Sequence, residues 1–170
     1  MRPFALCLML SAGLVTAVLA QTPAPAAARP NFSGIWKMDP KKSDFGGMGA
    51  PLSAEYVIRH VGSKLVFDYT QDGRTSRVEI IPDADERVTE SAGEIETLTR
   101  AYWSGPVLVI EARQRPRSPS SSAAVKWTSR WSLSQDRQVL TIERHISTPV
   151  GDSDQKVVFL RVAKKDASSS

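Results

Sequence analysis

The sequence predicts an all-β protein, an antiparallel up-and-down β-barrel of about eight to ten strands. Side-chain character alternates with a period near two over most of the chain after residue 31. Turn signals recur at short intervals, the strongest being the Asp72-Gly73 pair. No segment shows sustained helical periodicity with caps, which disfavours a parallel sheet with crossover helices. Sequential hairpins favour a barrel over an open sheet, because closure removes exposed strand edges.

The chain begins with a pattern typical of an export signal. Met1-Arg2 is a short positive region, residues 4–19 are almost continuously apolar, and small residues precede Gln21. The apolar run is short for a membrane-spanning helix, which takes about 20 apolar residues. We therefore expect a periplasmic or secreted protein without a membrane anchor. The expected segments are a cleaved signal peptide (1–20), a Pro/Ala linker (21–30), the barrel domain (31–164) and a disordered tail (165–170).

Cysteine usage and charge exclude several function classes. The only cysteine is Cys7, inside the apolar leader, so cleavage leaves a mature chain without cysteine. Such a chain is neither a thiol enzyme nor a cysteine-ligated zinc protein, and its stability must come from a core instead of disulfides. The formal charge of +4 falls to +3 without Arg2. This mild excess lacks the dense Lys/Arg patterning of a nucleic-acid binder.

The expected strands follow one another along the chain, and the first of them carries Gly34 and Trp36. A Gly/Pro-containing loop (39–51) comes next, either as a lid over one barrel end or as a solvated connection anchored by Phe45. The Pro/Ser-rich segment 114–122 predicts a flexible loop. About nine strands are expected in all. Those after the first fall near residues 54–61, 65–70, 78–81, 94–103, 107–110, 125–133, 139–146 and 156–163.

The Gly34-Ile35-Trp36 triplet on the first strand resembles the G-x-W motif of lipocalins. The resemblance implies a calycin-like barrel that binds a small ligand, with Trp36 across its closed end and Arg161 of the last strand against it. A guanidinium over an indole gains about 0.5–2 kcal/mol. The alternative is that Trp36 is plain core and Arg161 plain surface. The wider pattern, Ser33-Gly34-x-Trp36-Lys37 with Lys42-Ser43-Asp44-Phe45, is similar to small exported bacterial proteins of unassigned function.

Inward-facing aromatic residues and one arginine are the candidates for ligand binding. Arg144 shares a strand face with Leu140, Ile142 and Ile146. A charge is costly in a core unless it is paired or solvated. Arg144 therefore either lies at a barrel mouth, where it would hold a carboxylate or phosphate, or faces outward after a break in register. The aromatic rings either fill the core or line a cavity. The candidate ligand-binding residues are Trp36, Tyr56, Phe67, Trp103, Trp127, Trp131 and Arg144.

The sequence offers no assembled catalytic or metal-binding motif. The two histidines, His60 and His145, lack ligand partners at metal-binding spacing, and the serine-hydrolase elbow and phosphate-binding glycine motifs are absent. Arg100 and Tyr102 share a face with a spacing similar to the carboxylate-holding pair of fatty-acid-binding proteins. We therefore expect a monomeric, non-enzymatic carrier of a small apolar or amphipathic molecule, without cofactor. The alternative is a solidly filled barrel that serves as a protein-interaction module.

Overall fold

The computed structural model describes residues 29–117 and 125–163. The expected signal peptide, most of the linker, part of the expected flexible loop and the whole expected tail lie outside the described residues. Ten strands form one sheet. They are β1 (Gly34–Met38), β2 (Ala54–Val61), β3 (Lys64–Gln71), β4 (Arg74–Ile80), β5 (Arg87–Ala92), β6 (Ile95–Ser104), β7 (Val107–Pro116), β8 (Lys126–Leu133), β9 (Val139–Thr148) and β10 (Gly151–Val162).

The sheet curls into a nearly closed up-and-down barrel, which confirms the predicted fold class. Its strand order is β4-β3-β2-β1-β10-β9-β8-β7-β6-β5, and every pairing is antiparallel. The two outer strands of this order, β4 and β5, face each other without a hydrogen-bonded ladder. We call the line between them the seam.

Four strands depart from the expected pattern. Strand β4 begins at Arg74, four residues before the expected start at 78, because the Asp72-Gly73 turn pairs Gln71 directly with Arg74. Strand β5 was not expected, because most of its residues are polar or charged and a register shift between Val88 and Glu90 interrupts the alternation. Strand β7 continues to Pro116, since the long β6 pairs with it over its whole length. The flexible loop expected at 114–122 was therefore wrong for its first three residues, which are strand. Strand β10 begins at Gly151, five residues before the expected start at 156, because a tight hairpin pairs Gly151 with Thr148.

The antiparallel order separates two barrel ends. At the closed end lie the start of β1, the end of β10 and the β2–β3, β6–β7 and β8–β9 turns, and Phe32 and Trp36 are fully buried there. At the open end lie the β3–β4 and β9–β10 turns and the loop of residues 39–53, here called the β1–β2 loop. This loop lies along β10. Asp44 forms an isolated bridge with Lys156, and the Ser43 hydroxyl accepts a hydrogen bond from the Val158 N–H at 2.9 Å.

Candidate ligand-binding site inside the barrel

The barrel interior is not solid, because two compartments lie between its walls. The loop-side compartment, about 210 Å³, lies under the β1–β2 loop. The seam-side compartment, about 120 Å³, lies against β4, β5 and β6. Tyr56 and Arg144 line both and stand between them. The loop-side wall also includes Phe45, Met48, Tyr69, Ile142, Gln155 and Phe159. The seam-side wall also includes Phe67, Ile80, Thr99, Trp127, Ser129 and Trp131.

Arg144 is the positive charge of this interior. Strand β9 pairs it with Ser129 on one side and Gln155 on the other, so the three residues form one row across the wall. The side chain is half-buried, and its Nε donates a hydrogen bond to the Ser129 hydroxyl at 3.2 Å. Within the described residues, no carboxylate forms an ion pair with it. Because Arg144 lines both compartments, the structure adopts the inward orientation. The guanidinium N–H groups other than Nε–H are available to donate to a ligand oxygen.

Two tyrosines accompany the arginine. Burial raises the pKa of Tyr56 to about 12, while the charge of Arg144 and its hydrogen bond to the phenol oppose that rise. Burial also raises the pKa of Tyr69, and Arg144 again opposes the rise. The rings of Tyr56 and Tyr69 are stacked with their centroids 4.5 Å apart. Both phenols thus stay protonated at neutral pH and place no negative charge beside Arg144. The carboxylate residue in the seam-side wall, Glu90, forms no ion pair with Arg144.

An aromatic cluster supplies the apolar wall. The Tyr56 ring makes edge-on contacts with Phe67, Trp131 and Phe159, with centroid separations of 5.6, 5.2 and 5.1 Å. These rings meet because the strand alternation turns every second residue of β2, β3, β8 and β10 inward. Such edge-to-face contacts favour a fixed arrangement of the rings. The wall is therefore rigid around the two compartments.

The seam-side compartment also carries hydroxyl groups that the sequence did not single out. Thr97, Thr99 and Ser129 are buried, with exposed fractions of 8, 6 and 3%. The Thr89 and Thr99 hydroxyls hydrogen-bond to each other at 2.7 Å across β5 and β6. The sequence indicated their inward orientation only through strand alternation. Thr97 and Thr99 share a face with Ala101, and Ser129 lies on the same face as the tryptophans two residues before and after it. Short polar side chains are usually assigned to the solvent side, and here they face inward.

The candidate residues are only partly brought together. Tyr56, Phe67, Trp127, Trp131 and Arg144 all line the seam-side compartment. Trp36 and Trp103 line neither compartment, since both lie at the closed end. Trp36 donates from Nε1 to the Phe32 carbonyl at 2.9 Å, and Trp103 stacks on Phe32 with centroids 6.0 Å apart.

The structural pair Trp36 and Arg161 does meet at the closed end. Strand register places the two residues opposite each other, and the Arg161 guanidinium lies 4.1 Å from the centroid of the Trp36 ring. Arg161 also donates to the carbonyl of Ser33 at 2.7 Å and to that of Arg137 at 2.8 Å. The pair therefore ties the beginning of β1 to the β8–β9 turn.

The remaining polar candidates lie outside the two compartments. Arg100 is exposed, and the Tyr102 hydroxyl beside it donates to the Glu111 carboxylate at 3.0 Å, so this pair faces away from the interior. His60 accepts a hydrogen bond from the Phe32 N–H, and His145 contacts Asp154 on the surface. Within residues 29–117 and 125–163, no group of three or more metal-ligating side chains is placed to hold a metal ion. Nor does that part of the chain contain a helix with the length and apolar character needed to cross a membrane.

Solved structures with the same architecture are bound to lipids or named for them. No protein-family model and no curated protein matches this sequence. The zebrafish ileal bile acid-binding protein, complexed with cholic acid, superposes with a TM-score of 0.56 and 14% identity, covering 77% of this chain and 98% of that one. The REP1-NXSQ fatty acid transporter superposes with a TM-score of 0.54 and 12% identity, covering 78% of this chain and 96% of that one. Apo lipid binding protein 8 of Caenorhabditis elegans gives 0.53 and 14%, covering 77% and 95%. At these identities the likeness establishes the fold alone, an antiparallel up-and-down β-barrel.

Proposed function

We propose that this protein binds a small amphipathic acid inside its barrel, with the acid group held by Arg144. The observation that carries the proposal is a half-buried guanidinium between two interior compartments, with no carboxylate partner among the described residues. Burying a charge is costly unless a partner compensates it. An anionic ligand provides that partner, and the Ser129 and Tyr56 hydroxyls beside Arg144 add hydrogen-bonding groups.

The size and lining of the compartments support a slender ligand. Together their volumes lie just inside the lower end of the range of about 300–1,000 Å³ that is usual for ligand sites. The aromatic wall suits an alkyl or ring portion, and Arg144 suits a carboxylate. The three structural neighbours are named for binding bile acid, transporting fatty acid and binding lipid, which favours the same class. A filled interaction module would lack these compartments, so they weigh against that alternative.

Export to the periplasm or the exterior belongs to the same proposal. It rests on the positive and apolar leader and the small residues before Gln21. N-terminal sequencing of the protein isolated from its own host tests this step. A mature chain that starts at or near Gln21 supports export, and a chain that retains Met1 in the soluble fraction contradicts it.

Calorimetric titration with a medium-chain saturated fatty acid tests the binding proposal. Arg144→Gln is expected to weaken binding about 30-fold, because a charge-assisted hydrogen bond contributes roughly 2 kcal/mol. Arg130→Gln is the matched control, since Arg130 is an exposed arginine on the neighbouring strand. It removes the same charge from the outer face and should leave affinity unchanged. Equal affinities in the wild-type protein and Arg144→Gln would remove Arg144 from the site, and the absence of any binding would refute the proposed function.

A further inference from the structure

One polar atom of the barrel core has no partner. The indole Nε1 of Trp131 is buried and makes no hydrogen bond to any described residue. Trp131 as a whole is 2% exposed and lines the seam-side compartment. An indole N–H is a donor only, and a buried donor without an acceptor carries a free-energy penalty. The atom is closed to water in this structure. A ligand that shifts the Trp131 ring slightly and brings an acceptor oxygen to Nε1 would remove this penalty.

The position of Trp131 relative to Arg144 is fixed by strand register. Arg144 pairs with Ser129, and Trp131 follows Ser129 by two residues on the same face of β8. Two residues along a strand span about 7 Å, in this case toward the closed end. Arg144 and Trp131 therefore mark two points along a ligand that enters the seam-side compartment with its acid group on Arg144.

The surroundings of Trp131 suit an oxygenated ligand better than a plain hydrocarbon. Thr97, Thr99 and Ser129 line the same small compartment and are buried with it. The Thr99 hydroxyl is bonded to Thr89 and the Ser129 hydroxyl to Arg144, so the indole N–H is the donor that an alkyl chain would leave unpaired. A carbonyl or hydroxyl on the chain would accept from the indole N–H and would lie beside the polar side chains of the same wall.

We propose that the preferred ligand is an oxygenated amphipathic acid, with a ketone or hydroxyl on its apolar portion that accepts a hydrogen bond from Trp131 Nε1. This inference rests on the proposed function, because the acid group on Arg144 sets the position of the rest of the ligand. It goes further by naming a second polar group and the residue that recognises it. Trp131 is thereby a residue that determines specificity.

The test compares a medium-chain saturated fatty acid with a positional series of oxo acids of the same length. In the wild-type protein, the best oxo acid should bind about tenfold more tightly than the plain acid, as expected for satisfying one buried donor. Trp131→Phe keeps an aromatic ring and removes the donor, so it should abolish this preference while the plain acid still binds. Arg144→Gln should weaken the binding of both probes, because both place their acid group on Arg144.

Indole resonances give a second readout that needs no loss of affinity. The protein has four tryptophans, so a nitrogen–proton correlation spectrum resolves four indole signals, and the signal missing from Trp131→Phe belongs to Trp131. That signal should move on addition of the oxo acid and much less on addition of the plain acid.

The outcomes separate the two proposals. If neither acid binds, the proposed function itself is refuted. If both acids bind the wild-type protein within twofold of each other across the series, the acid site stands and the second anchor is refuted. A preference for the oxo acid that persists in Trp131→Phe also refutes the proposed contact with Trp131. An indole signal of Trp131 that does not move on addition of the oxo acid refutes it as well, and would indicate that the N–H lies over a neighbouring aromatic ring. If Trp131→Phe does not fold, the wild-type affinity ratio alone decides.

Discussion

Replacing Arg161 by Met should destabilise the closed end of the barrel substantially. Methionine keeps an unbranched stem and loses the charge and all the donors. The lost interactions are the contact over Trp36 at 4.1 Å and the hydrogen bonds to the carbonyls of Ser33 at 2.7 Å and Arg137 at 2.8 Å. The Ser33 bond is partly buried, so it counts for more than the exposed bond to Arg137, whose carbonyl water will solvate.

The expected magnitude follows from these three contacts. The cation–π contact contributes about 1 kcal/mol. The partly buried charged hydrogen bond contributes about 1.5 kcal/mol, and the exposed one about 0.5 kcal/mol. The free energy of unfolding should thus fall by about 3 kcal/mol, a large share of the roughly 5–15 kcal/mol typical of a domain.

Urea unfolding followed by tryptophan fluorescence measures this change. At a typical slope of about 2 kcal/mol per molar urea, the midpoint should fall by about 1.5 M. Arg130→Met is the control, because it removes an exposed arginine of β8. A loss below about 1 kcal/mol for Arg161→Met, or an equal loss in the control, would refute the assignment of this stability to the three contacts.

Three further perturbations probe the same framework. Burial lowers the pKa of His60 from 6.5, so its contribution to stability is present above about pH 6.5 and is lost as the pH falls, whereas the hydrogen bond to Asp154 raises the pKa of His145 and gives the opposite dependence. The difference between the urea midpoints at about pH 7 and pH 5 should therefore be smaller in His60→Gln than in the wild-type protein, because the variant lacks the loss of stability at low pH. The same difference should be larger in His145→Gln, which lacks the gain at low pH, and a wild-type difference in either variant would contradict the corresponding contact. Gly34→Ala should cost about 2 kcal/mol in the wild-type protein and less in Arg161→Met, because Gly34 has φ of 147° and an added Cβ would overlap the Arg161 guanidinium; additive losses would contradict this. Ser43→Ala removes a link between the β1–β2 loop and β10, so stopped-flow mixing should show ligand release several-fold faster, and an unchanged rate would mean that this link does not control exit.

The fold was predictable because its signals are local. Alternation in β2, β3, β8 and β9 turns Tyr56, Phe67, Trp131 and Ile142 inward, and hairpin turns such as Asp72-Gly73 connect successive strands. Strand β5 was missed because most of its residues are polar or charged and its alternation is interrupted by a register shift. Its place comes from pairing with β6, which is a tertiary effect.

The site was predictable only in part, because position along the barrel axis is not written in alternation. Trp103, Trp127 and Trp131 all share the inward pattern of their strands, yet Trp103 lies at the closed end and the other two line the seam-side compartment. Which of the three tryptophans lines a cavity depends on the register of several strands at once. Alternation predicted which strand face carries Arg144. It could not predict that Ser129 and Gln155 lie beside Arg144 on the neighbouring strands, because that depends on strand register.

The position of β1 has a consequence for how the barrel assembles. Every other pairing in the described sheet joins strands that are neighbours in sequence, whereas β1 pairs with β10 across almost the whole domain. The spatial order of the strands is thus a circular permutation of their covalent order, with the seam at the place where a permuted chain would begin and end. Closing so long a loop is entropically expensive, so the β1–β10 zipper should form after the hairpins. The five residues of β1 then join β2–β4 to β5–β10, and the contact of Arg161 with Trp36 stabilises the product of that late step.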